Sequence, residues 1–183
     1  MHAIQAWVAL PNDQEETAPH FAHHPGSDLP LEEDRGVWLR LLAGESFGLR
    51  AKVKTHSPLF YLHVALEAGS SIALPREHRE RAAYLVAGAV SADGQPVAPG
   101  QMIVFDENAP AVVEASAPSV LMLLGGAPVG ARFIEWNFVS SSRERIEQAK
   151  ADWRAGRMKL PDGDNKEFIP LPPDMHQGAP AMS

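Results

Sequence analysis

At 183 residues and 45% hydrophobic, the chain can bury one good core with an appendage. Its net charge of −7, from 16 Lys and Arg against 23 Asp and Glu, argues against a nucleic-acid-binding surface. There is no cysteine, which excludes disulfides and thiolate zinc sites and fits a reducing cytoplasm.

No apolar run approaches membrane-spanning length, and the N-terminus lacks the basic region and long apolar stretch of a signal peptide. A cytoplasmic protein without membrane or nucleic-acid partners is the expectation. The first element in chain order is an apolar run, Ile4 to Leu10, which reads as a strand starting almost at Met1. Residues 11–36 are polar and proline-broken and read as a long loop. Short apolar runs separated by Gly, Pro and Asp follow: Val37 to Ala43, Phe60 to Leu66, Ala83 to Ala87, Met102 to Phe105, Ala111 to Glu114 and Val120 to Leu124. That pattern predicts an all-β sandwich or barrel. Phe60, Leu62, Val64 and Leu66 share one face by two-residue periodicity, and Asp93-Gly94 between two runs reads as a hairpin turn. One helix is predicted, with Ser141 as cap and Glu144 completing a capping box. Ile146, Ala149 and Trp153 follow at helical spacing, and Gly156 ends the element. Leu160 to Ser183 is rich in Pro, Gly and Asp and reads as an irregular tail. No repeat of solenoid period is present.

From Gly69 to Gly88 the spacing is similar to a cupin metal motif, which runs Gly, five residues, His, one, His, three or four, Glu, six, Gly. Both glycines fall on that frame, but Pro75, Glu77 and Arg81 occupy the ligand positions. Proline has no side-chain donor, and a guanidinium has no lone pair to give a divalent cation. The second cupin motif places a His three residues past a Pro/Gly turn; after Pro99-Gly100 that position is Ile103. All four positions are therefore non-ligating or mismatched.

Other candidates are weaker. His20, His23 and His24 form an H-x-x-H-H cluster in a proline-flanked loop, without rigid ligand geometry or partners to orient the rings. His56, His63 and His78 are a second set that a barrel mouth can gather, although His63 alternates with Leu62 and Val64 and so faces away from the apolar side of its strand. Glu77, His78, Arg79, Glu80 and Arg81 read as a solvated charge run. A sharper alternative has Arg81 closing the barrel with an internal ion pair. No Ser-His-Asp spacing, nucleotide loop or Walker-type glycine pattern occurs.

At Trp136 to Gly156, WNFVSSSRERIEQAKADWRAG, the chain resembles the C-terminal signature of the pirin family of bicupins. HAIQAWVALP followed by PHFAHHP is similar to the segment joining the two pirin barrels, and LLAGESFG, LLGGAPVG and FIPLP also read as pirin. The resemblance covers nearly the whole chain. It implies a mainly β fold, a cupin-type double-stranded β-helix or jelly-roll barrel with one C-terminal α-helix and an irregular tail. On that frame residues 1–36 are an N-terminal strand and inter-barrel linker loop. Residues 37–135 are a degenerate cupin barrel, 136–159 a helix region, and 160–183 a Pro-rich tail.

In pirins, the resemblance implies, three His and a Glu of the N-terminal barrel hold a metal, usually iron, in a run resembling HPHxGxxTVTY. No HPH run occurs in this sequence. The expectation is the second half of a pirin without the metal-binding barrel. No catalytic, cofactor-binding or metal-binding residue carries over, and iron or another divalent metal is expected only where the N-terminal barrel is present. A structural or protein-interaction role follows, with an exposed apolar face that meets a second copy or another cupin domain. The alternative is part of a quercetin 2,3-dioxygenase-like, metal-dependent enzyme whose N-terminal barrel lies outside this chain or is supplied in trans. A transcription-cofactor-like regulator is a third, weaker reading.

Overall fold

A computed structural model of the chain describes residues 3–173. It comprises two compact units: Ala18–Pro128, and Met1–Thr17 together with Val129–Ser183.

The first unit is all β. Its strands are β1 (Leu31–Asp34), β2 (Val37–Ser46), β3 (Leu49–Arg50), β4 (Leu59–Leu66), β5 (Ser71–Ala73), β6 (Glu80–Ala87), β7 (Val90–Ala92), β8 (Gln95–Val97), β9 (Met102–Phe105), β10 (Val112–Ala115) and β11 (Ser119–Gly126). One sheet runs β1-β2-β4-β11-β6-β9 with β3 paired to β2, and the other runs β5-β10-β7-β8. A single core draws on both, with Leu41, Leu62, Val64, Leu85, Leu121 and Leu123 from the larger sheet and Ile72, Val90 and Val113 from the smaller. This is the predicted jelly roll. β4 carries the predicted periodicity: Phe60, Leu62, Val64 and Leu66 are buried and the residues between them half-buried. Burying each such side chain contributes roughly 1.5–3 kcal/mol.

The other face of the large sheet is mixed at its β2–β4 end and apolar toward β9. Arg40, His63, Met122, Tyr84 and Met102 lie in register across five strands. Beside them runs a second row of Tyr61, Leu124, Ala82 and Val104. Met102 is 52% exposed and Val104 76%, both on edge strand β9.

Two turns follow from residue type. Asp93 and Gly94, at φ 50° and 70°, link β7 to β8 as the sequence predicts. Gly44, at φ 78°, follows a register shift in β2 and approaches β4 so closely that an added Cβ would lie 1.8 Å from the Leu59 carbonyl oxygen.

Two expectations about residues 4–36 need correction. Ile4 to Leu10 is not a strand; no ladder partner pairs with it, and Trp7 and Val8 stand 56% and 61% exposed. The supposed loop 11–36 contains β1, whose LEED sequence is exposed throughout. With no buried face, it carries no alternation to read.

The second unit contains the hairpin of β12 (Phe133–Glu135) and β13 (Phe138–Ser140), followed by α1 (Arg143–Arg154). The helix cap is Ser142 rather than Ser141: the Ser142 Oγ accepts from the Arg145 N–H at 3.2 Å and donates to Glu144 at 2.8 Å. Gly156, at φ 65°, ends the helix as predicted. Residues 160–173 have no regular structure, but Trp153 holds them, donating from Nε1 to the Ile169 carbonyl at 2.9 Å and stacking on Phe168. The rest of the predicted tail, 174–183, lies outside the described residues.

Glu15 ties the N-terminal segment into this unit. Its carboxylate pairs with Arg132 at 3.0 Å and accepts from the Ser140 hydroxyl and the Ser141 N–H and hydroxyl. Arg132 also donates to the Leu10 carbonyl at 2.8 Å.

Candidate functional site

The four positions on the cupin frame meet different environments. Pro75 is buried just past β5, and Glu77 is exposed on the segment leading into β6. Ile103 packs against the core from β9. Arg81, at 4% exposure on β6, is the most unusual of them.

Arg81 is too buried to belong to a solvated charge run, and the alternative of an internal ion pair is not met among the described residues. Its Nη2 lies 2.9 Å from the main-chain carbonyl oxygens of Asp106, Glu107 and Ala109. The guanidinium thus faces the negative ends of three peptide dipoles in place of a carboxylate. Its Nε has no hydrogen-bond partner among the described residues. Arg79 grips the same loop from outside through an exposed ion pair with Glu107 at 2.8 Å. Exposed pairs of this kind add about 0–1 kcal/mol, so the buried Arg81 is the main fastening.

The histidine sets do not assemble into a ligand group. His20 and His23 are exposed and His24 half-buried, all outside regular structure. Among the described residues, no group of three or more His, Asp or Glu side chains is placed to hold a metal ion. His63 lies on the outward row of β4, with its ring 5.1 Å from that of Trp38. Burial, and secondarily the nearby Arg40 cation, hold His63 below the usual imidazole value of 6.5. Burial likewise pushes Tyr61 of the adjacent row above 10.0.

His56 and His78 do share a site. Both line an open cleft of about 780 Å³ where β2 ends and β4 begins. His78 is 8% exposed; its Nε2 lies 2.9 Å from the Glu45 carbonyl, and its ring packs 4.9 Å from Phe60. Ser46, 3% exposed, also lines the cleft, and its Oγ has no hydrogen-bond partner among the described residues. Glu77 stands in the same lining. Reading the sequence assigned Ser46 no role, although it lies within the LLAGESFG segment. Its one signal is a hydroxyl on the buried phase of β2 beside the β2–β3 turn.

A model of the pirin C-terminal cupin domain matches residues 61–159, more than half of the chain. The chain belongs to the pirin family. A pirin-like protein of Caulobacter vibrioides is 58% identical over 173 residues, covering 94% of this chain and 60% of that protein. A Pseudomonas aeruginosa protein named "Putative quercetin 2,3-dioxygenase" is 34% identical over 179 residues, covering 93% of this chain and 56% of that one. The crystal structure of a quercetin 2,3-dioxygenase from Acinetobacter baumannii superimposes with a TM-score of 0.81 at 23% identity, over 96% of this chain and 59% of that one. At that identity the likeness shows the cupin fold. The chain spans 52–60% of the length of these and other curated pirin relatives. No helix among the described residues is long and apolar enough to cross a membrane.

Proposed function

We propose that this chain is the C-terminal cupin half of a pirin-type bicupin, metal-free and non-catalytic by itself, with a structural or protein-interaction role. The observation that carries the reading is Arg81. A fixed cation sits where the cupin frame asks for a carboxylate ligand, and it is committed to three carbonyl oxygens at 2.9 Å. A divalent ion there would meet a like charge and no lone pair. Pro75 and Ile103 offer no donor, and Glu77 is exposed. The residues present do not fit a divalent metal, so no step of a reaction is derived through one.

The interaction role is supported by the β9 edge of the large sheet's outward face, where Met102 and Val104 stand exposed beside the half-buried Tyr84 and Ala82. Its partner is a second copy of the chain or another cupin domain. Elemental analysis of the purified chain, grown with iron and nickel, should find far less than one metal per chain. Stoichiometric iron or nickel would overturn the proposal. Light scattering should find a dimer, and Val104→Glu on the exposed edge should return it to monomer. A monodisperse wild-type monomer that binds no hydrophobic dye would remove the interaction role.

A second reading is part of a quercetin 2,3-dioxygenase-like enzyme that acts with an N-terminal barrel. It is favoured by the Pseudomonas relative's name and by the share of that relative's length left unmatched. Adding a purified pirin N-terminal barrel and assaying flavonol-dependent oxygen uptake separates the two readings.

A further inference from the structure

The cleft where β2 gives way to β4 has a chemistry that neither the core nor the cupin frame requires. We propose that it binds a small, uncharged, hydroxyl-bearing molecule. Four features converge on this.

The first is Ser46. Hydroxyls buried this deeply are ordinarily hydrogen-bonded, yet this one belongs to a residue 3% exposed in the cleft lining and meets no partner among the described residues. The Oγ itself has almost no accessible surface, so a ligand hydroxyl meets it once χ1 turns it toward the cleft. The bond then runs in either direction, because both groups donate and accept. The second is His78. The Glu45 carbonyl 2.9 Å from its Nε2 can only accept, so in the neutral ring Nε2 carries the proton and Nδ1 presents a lone pair. Ser46, which donates or accepts, and His78, which accepts through Nδ1, thus stand in one lining.

The third feature is charge. Glu45 and Arg50 neutralise each other at 2.5 Å on the exposed rim, and Glu77 adds a further carboxylate. That balance repels an anion while leaving the neutral hydrogen-bonding groups to set the preference. The fourth is size: about 780 Å³ falls within the range of sites for small organic molecules. Leu49, Pro58 and Leu59 supply an apolar wall on which a carbon skeleton can rest.

The test is an NMR titration of the full chain with three probes: glycerol as a polyol, phenol as an aromatic hydroxyl, and benzoate as an anion of similar shape to phenol. The expected result is saturable shifts of the Ser46 amide and the His78 ring with glycerol or phenol, and none with benzoate. Glycerol alone points to polyols as the natural class, and phenol alone to aromatic alcohols. Ser46→Ala should weaken binding about three- to tenfold, the loss of one neutral hydrogen bond. Ser46→Val, which places a methyl in the cleft, should weaken it further. Thermal unfolding of each variant checks that the barrel is intact. Absence of saturable shifts with both neutral probes overturns the proposal. So does benzoate binding as tightly as phenol, or a folded Ser46→Ala variant with unchanged affinity.

Discussion

Arg81 and Arg132 are buried alike, at 4% and 6% exposure, in different regions of the molecule, and their charges are met in different ways. In the barrel, Arg81 faces three peptide carbonyls. In the helical unit, Arg132 faces the Glu15 carboxylate, itself largely buried, at 3.0 Å. Dipoles belonging to a loop cannot be removed by changing one side chain, whereas a carboxylate can. The barrel's buried charge is therefore held by architecture, and the helical unit's by a single residue.

The largest expected effect breaks the second arrangement. Glu15→Ala strands the Arg132 guanidinium and should cost roughly 3–5 kcal/mol, as for other buried pairs deprived of one member. Urea unfolding followed through Trp136 and Trp153 measures it, and Arg132→Met on that background should recover much of the loss. A cost near zero would mean that water already screens this pair. Next, Arg81→Met should cost less, roughly 1–3 kcal/mol. The carbonyls it releases belong to a loop whose Asp106 and Glu107 are exposed, so water can reach them. Should Arg81→Met prove worse than Glu15→Ala, the ranking of dipoles against carboxylate is reversed.

Smaller still, Ser142→Ala should cost about 1 kcal/mol as a lost helix cap. Ser141→Ala should cost less, since the Ser141 N–H keeps its bond to Glu15.

The last effect separates the two regions by pH. The folded His63 titrates below 6.5, so the unfolded chain binds its proton first. The barrel's contribution from neutral His63 is full above pH 6.5 and is lost as pH falls from there toward the folded value. In the helical unit the lowered groups are acids: Glu16 beside Arg145, Glu144 through a backbone hydrogen bond and Ser142, and Asp152 beside Arg157. Their contribution is present above their usual values of 4.5 and 3.8 and is lost as pH falls through the lower folded values. Hydrogen exchange at pH 5.5 should show the barrel loosened and the helical unit unchanged; His63→Gln should abolish that difference.

Much of this was readable in the residues, and the failures have identifiable causes. Strands with one face in the core carry a two-residue period, so β4 and β11 were evident. β1 was not, because its LEED sequence has no buried phase. Ser140, Ser141 and Ser142 are equally good caps locally. The choice among them is made by Glu15, which takes the first two from more than a hundred residues away. Spacing marked Arg81 as odd, but its partners are carbonyls, which every residue owns and no sequence motif announces. The resemblance to pirins supplied the family, while the cleft at Ser46 needed the structure, because LLAGESFG marks the segment that holds Glu45 and Ser46 but not what the Ser46 hydroxyl and the Glu45 carbonyl face.

The bond between Glu15 and Ser140 spans 125 positions of the chain, with the whole of the barrel lying between its two ends in sequence. As the chain leaves the ribosome, the segment around Glu15 emerges ahead of the barrel and must wait for its companions while the barrel strands appear. Closing so long a loop is entropically expensive in a floppy chain and much less so once the intervening strands have collapsed. Barrel first and clasp last is the order this connectivity favours, which makes the Glu15 clasp a reporter of a completed barrel.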